Sequence, residues 1–112
     1  MIAPMQGVTA RRRAARKRQT QAAARKVYEA VDARDQGVCR ACGQYAGPSV
    51  HRHHLRGRQE TTVQTVCHLC PACHAQIHVR VGGKRLRVWG DANGGLTVER
   101  WIDRQRVTRY NQ

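Results

Sequence analysis

The chain has 112 residues, 21 Lys and Arg against seven Asp and Glu, and a formal net charge of +14. That length holds one small domain, the charge is the footprint of a polyanion binder with DNA or RNA the natural candidate, and no apolar run reaches membrane-spanning length. Phe is absent and aromatics make up only 4% of the chain, so a thin core of Ala and Val calls for reinforcement by something other than burial. Five cysteines in a secreted chain would suggest disulfides. Here two Cys-x-x-Cys pairs and six histidines favour metal binding in a reducing, intracellular, cytoplasmic setting.

Residues 1–10 contain Pro4 and Gly7 without periodicity and are expected to form a mobile terminus. Between Arg11 and Arg18 six of eight residues are basic, and Ala-rich sequence follows to Ala24. These residue types favour helix, predicted over 11–34. An apolar stripe emerges only at Val27, Tyr28, Ala30 and Val31, so residues 1–26 read as a basic arm that orders on DNA, with Arg11, Arg12 and Arg13 on phosphates. Gly37 suits the end of that helix.

Residues 27–81 read as the central unit. The first knuckle, Cys39-Arg40-Ala41-Cys42, is followed by Gly43 for a tight turn, and 44–49 is a loop. Residues 50–55 form a short strand carrying His51, Arg52, His53 and His54, a polar turn covers 56–60, and the β-branched run within 61–69 gives a return strand. A helix is predicted over 71–81, opened by Pro71 and stopped by Gly82-Gly83. Residues 82–112 alternate as a hairpin with its turn at 90–95. Leu86, Val88, Leu96 and Val98 share one face, Trp89 and Trp101 pack on the other, and the stretch beyond Ile102 is a polar, basic tail.

Two metal sets follow from spacing. Cys39, Cys42, Cys70 and Cys73 supply four thiolates, the donor set of a closed structural zinc site. On a helix, His74 and His78 stand one turn apart on one face and can grip a second ion.

The motifs Cys39-x-x-Cys42, His53-His54-Leu55 and Leu69-Cys70-Pro71-Ala72-Cys73-His74-Ala75-Gln76-Ile77-His78, with Arg34-Asp35-Gln36-Gly37 ahead of them, resemble the HNH endonucleases, a family of ββα-metal (His-Me finger) nucleases, in a small zinc-knuckle form. The resemblance covers roughly residues 27–79. It implies a ββα-metal finger with a structural four-cysteine zinc site, which together with the basic N-terminal helix and the C-terminal β-hairpin read above makes an α+β fold. It also implies that His53 joins His74 and His78 on a catalytic divalent ion, and that His54 is the general base. Mg2+ or Mn2+ is the ion expected, with Ni2+, Co2+ and Zn2+ open by donor type. Where the family usually carries an Asn that orients the base, Thr65 stands, with Gln64 beside it as a substitute. Arg52, Arg56 and Arg58 are expected on flanking phosphates of double-stranded DNA.

The expected activity is therefore that of a DNA endonuclease or nickase, working alone, as a homodimer or with a protein partner. Phage, mobile-element and restriction settings all accommodate such a protein. The alternative is a zinc-dependent DNA-binding accessory module that does no chemistry.

Overall fold

The computed structural model describes residues 3–112. The fold is α+β. Its elements in order are α1 (Ala3–Asp35), a 3-10 turn (Gly47–Ser49), β1 (His51–His54), β2 (Val66–Leu69), α2 (Pro71–His78), β3 (Lys84–Gly90), β4 (Leu96–Ile102) and β5 (Gln105–Asn111). Strands β1 and β2 form one antiparallel pair, and β3, β4 and β5 form a second antiparallel sheet in that order.

Helix α1 runs 33 residues and begins well before residue 11. Residues 3–10 are thus helical rather than a mobile terminus; residues 1 and 2 lie outside the described part. Pro4 falls in the first helical turn, where its missing N–H has no intrahelical partner to lose, and one Gly is tolerated at about 1 kcal/mol. Every described side chain from Ala10 to Ala23 is exposed. The projecting helix stretches the molecule to 63 × 29 × 24 Å, with a radius of gyration of 18.1 Å. A compact chain of this length would have about 13 Å.

The C-terminal turns of α1 dock on β2 through Val31, fully buried, and two carboxylates. Asp35 accepts from Arg34 Nε (2.7 Å) and Nη2 (2.9 Å), Arg40 Nη1 (2.8 Å) and the backbone N–H of His68 (2.9 Å). Asp32 accepts from His68 Nε2 (2.7 Å) and from Arg52 (2.9 and 2.5 Å). His68 Nδ1 in turn accepts from Gly37 N at 3.0 Å, so its ring is the Nε2–H tautomer and ties both ends of the helix stop together. Gly37, at φ +75°, closes the helix; a Cβ there would press the Gly47 backbone at 3.1 Å.

The return strand is shorter than its β-branched sequence indicates, spanning only Val66–Leu69. Thr65 turns its hydroxyl back on the preceding loop, accepting from Thr62 N (3.0 Å) and donating to Glu60 O (2.5 Å), which diverts 61–65 into a turn. Helix α2 likewise ends at His78 rather than 81, because Val81 pairs with Lys84 at the mouth of the next hairpin.

The β3–β4 hairpin has the expected turn and core face, with Leu86, Leu96 and Val98 buried. The stretch beyond Ile102 is not a tail but strand β5, reached through Asp103 (φ 50°) and Arg104 (φ 69°). Two consecutive left-handed residues match the twist of a tight hairpin. The sheet shares one core with the knuckles: Leu86, Ala92 and Val98 pack with Cys39, Ala41, Cys67, Leu69 and Cys73. Tyr110 donates to the carbonyl of Ala41, and the Gln112 side chain donates to that of Arg40, pinning β5 to the first knuckle.

Candidate functional site

Cys39, Cys42, Cys70 and Cys73 bring their sulfurs within 4.8 Å of one another. A zinc ion about 2.3 Å from each sulfur would place neighbouring sulfurs about 3.8 Å apart, and Cys42 and Cys70 stand at 3.9 Å. Each knuckle is shaped by a backbone N–H aimed at its first sulfur, Cys42 N to Cys39 Sγ and Cys73 N to Cys70 Sγ, both 3.4 Å. Cys70 is thereby also the N-cap of α2. A hydrogen bond from Cys73, against the opposing effect of burial, holds the Cys39 thiol down to about 4, and the Arg100 guanidinium lies 3.7 Å from Cys73 Sγ. The group could hold zinc, as its spacing indicates.

The second set forms where β1 crosses α2. His53 is buried on β1, and His74 and His78 project from one face of α2, with one nitrogen from each ring within 4.8 Å of the others. His74 Nε2 and His78 Nε2 are 3.1 Å apart. Burial, then repulsion from His74 and His78, pushes the His53 pKa down to about 4, and burial lowers that of His74. At neutral pH His53 and His74 therefore keep their lone pairs. Three imidazoles fit a divalent ion and leave further coordination positions free.

His51 also belongs here: its Nδ1 is 2.8 Å from His74 Nδ1, fixing that ring from behind. The sequence held the signal for this, because residues two apart on a strand share a face and His51 precedes His53 by two. His54 alternates to the other side. Its Nε2 lies 3.1 Å from Tyr28 Oη on α1, the two rings meeting edge to face, while its Nδ1 is buried with no hydrogen-bond partner. Burial and then the Arg58 charge lower its pKa.

Thr65 is buried and its hydroxyl is spent on residues 60 and 62, but its carbonyl accepts from Leu55 N at 2.8 Å and so braces the chain just after His54. Gln64 is exposed. Arg52 is engaged by Asp32 and lies over the Tyr28 ring at 5.0 Å. Arg56 pairs with Glu60 at 3.6 Å, and Arg58, Arg11, Arg12 and Arg13 are exposed. Tyr28 is the site residue that the sequence does not announce. Its partner is 26 residues away, and no local pattern marks such a contact.

Among the described residues no helix is long and apolar enough to cross a membrane. Comparison with protein-family models, curated proteins and solved structures finds no match.

Proposed function

We propose that the chain is a metal-dependent endonuclease of the HNH, ββα-metal type, hydrolysing phosphodiester bonds of double-stranded DNA. The carrying observation is the β1–β2–α2 arrangement. It gathers His53, His74 and His78 within 4.8 Å and leaves the neighbouring His54 with one ring nitrogen unpartnered. A divalent ion, when bound by the three imidazoles, would supply Lewis-acid stabilisation of charge on phosphate oxygens.

The chain's own residues account for the proton. With Tyr28 Oη accepting from His54 Nε2–H, the lone pair resides on Nδ1, and the depressed pKa keeps it there at neutral pH. Nδ1 is buried in the free chain, so the step requires DNA binding to uncover it; His54 Nδ1 then takes a proton from water as the water oxygen bonds to phosphorus. The P–O3′ bond breaks and the departing oxygen takes a proton from solvent, giving a 5′ phosphate and a 3′ hydroxyl. Tyr28 thus does for this base what the family's Asn would do, while Thr65 supports the backbone. Arg58 and Arg56 flank the site for phosphates, and the basic half of α1 extends the footprint along the duplex.

The test is cleavage of supercoiled plasmid by protein that retains its four-cysteine zinc, with Mg2+, Mn2+, Ni2+, Co2+ or Zn2+ added back, beside His54→Ala and His78→Ala. Metal-dependent nicking or linearisation that both substitutions abolish supports the reading. Binding without cleavage under every ion would reassign the chain as a zinc-dependent DNA-binding module.

A further inference from the structure

The pleat that sends Leu86, Val88, Leu96 and Val98 inward turns Arg85, Arg87, Trp89, Glu99 and Trp101 outward on the second sheet. On that outer face a cleft of about 360 Å3 is lined by Arg80, Gly83, Arg85, Arg87, Trp101 and Arg104. We propose that this cleft binds an unpaired nucleotide of a DNA strand, with the phosphate held by the arginines and the base stacked on Trp101. The proposal rests on the nucleic-acid part of the function above and is independent of cleavage.

Four guanidiniums line the cleft and no carboxylate does. Two carboxylates border it. Glu99 lies beneath the face at 5% exposure, bonded to Trp101 Nε1 (2.8 Å) and paired with Arg87 (3.7 Å) and Arg106 (3.8 Å). Asp103 lies against Gly83, donating its N–H to the Gly83 carbonyl, with its carboxylate where a Cβ on that glycine would fall. The bond that Trp101 Nε1–H donates to Glu99 fixes the indole as a rigid wall, and Glu99's charge is already answered. The arginines therefore present a net positive fork suited to phosphate.

The two tryptophans differ. Trp89 already has the guanidiniums of Arg87 and Arg109 over its ring, at 5.4 and 5.7 Å, whereas Trp101 forms part of the cleft wall. A ring in a cleft can stack only on a base whose face is free, and a duplex hides those faces, so the occupant is unpaired. Arg80 follows His78 by two residues, and α2 packs against β3, the strand that supplies Arg85 and Arg87 to the cleft.

The test is fluorescence titration of the zinc-loaded full chain, without added divalent ion, using a ten-nucleotide single strand, its duplex and inorganic phosphate as probes. A Trp89→Phe background leaves Trp101 as the reporter. The single strand should quench Trp101; with affinity read instead by anisotropy of a dye-labelled strand, Trp101→Ala should weaken single-strand binding roughly tenfold, and Trp101→Phe should retain most of it. Arg80→Gln with Arg85→Gln, both exposed, should flatten the salt dependence of single-strand binding by about 0.7 for each phosphate no longer neutralised. Single-strand affinity unchanged by both sets of substitutions, or an equal quench by phosphate alone, would overturn the proposal. Duplex binding together with a single strand that leaves Trp101 unquenched would refute the cleft and spare the function, whereas failure to bind either form of DNA would refute both.

Discussion

Asp35→Asn removes the charge at the joint between α1 and β2 while keeping the side chain's size. The Asp35 side chain is 1% exposed and receives four hydrogen bonds, three from the guanidiniums of Arg34 and Arg40 and one from the backbone of His68. Breaking a buried ion pair by neutralising one member costs about 3–5 kcal/mol, a large part of the roughly 5–15 kcal/mol that holds a domain together. At about 4 °C per kcal/mol, thermal unfolding should fall by roughly 12–20 °C at pH 7. The pH dependence gives a second reading. Burial works to raise the Asp35 pKa, but hydrogen bonds from Arg34 and His68 and the charges of Arg40 and Arg34 outweigh it, holding it below 3.8. A carboxylate with a depressed native pKa contributes stability above its unfolded value and loses it as the pH falls through the native one. The gap between wild type and variant, followed by circular dichroism melts at constant zinc, should therefore close below about pH 4. Because Tyr28, Val31, Asp32 and Asp35 lie on one face of α1, the same substitution should loosen Tyr28 from His54. Equal melting temperatures at pH 7, or a gap that persists in acid, would refute this account.

Cys42→Ser, or verified removal of zinc, should unfold the core that the knuckles share with Leu86 and Val98, and an unchanged melting curve would deny the sulfurs a structural ion. Tyr28→Phe keeps the ring against Arg52 but removes the hydroxyl from His54. Plasmid cleavage should fall about tenfold with DNA affinity intact, and an undiminished rate would free Tyr28 of any role. Deleting residues 1–24 should weaken duplex binding and lower its salt dependence by about 0.9 for each phosphate the arm had neutralised, while leaving the melting curve in place. A constant salt slope would show that the arm does not touch phosphates. Replacing His51 with Ala should loosen the metal held by His74 by about 10- to 100-fold, read by competition with a chromogenic chelator, and unaltered affinity would make His51 a bystander.

What could be read from the sequence was what short spacing encodes. Cys-x-x-Cys, two histidines four apart on a helix, and an alternating hairpin each carry their geometry within a few residues. The return strand shortened because Thr65 satisfies nearby backbone groups, a competition that β-propensity does not weigh. Strand β5 was hidden because all of its residues are exposed, so no buried apolar alternation marks it, and its turn uses Asp103-Arg104 without Gly. Asp35 stood in the sequence within Arg34-Asp35-Gln36-Gly37 but without a visible partner, and Asp32, Asp35 and His68 form the joint that positions the helix. Such roles depend on partners more than 30 residues apart.

The long projecting helix sets a reach and a phase. The basic run at residues 11–18 lies 10–17 residues before Tyr28, and at 1.5 Å per residue this is about 15–26 Å of rigid rod, or roughly four to eight base pairs of duplex. Under the proposed function, protection of DNA around the cleaved phosphate should accordingly be lopsided, extending further on the side toward which the helix points. The rod also transmits rotation. Two alanines added within its exposed stretch would turn the arginines by about 200° about the helix axis while lengthening the rod by only about 3 Å, separating their angular placement from their distance.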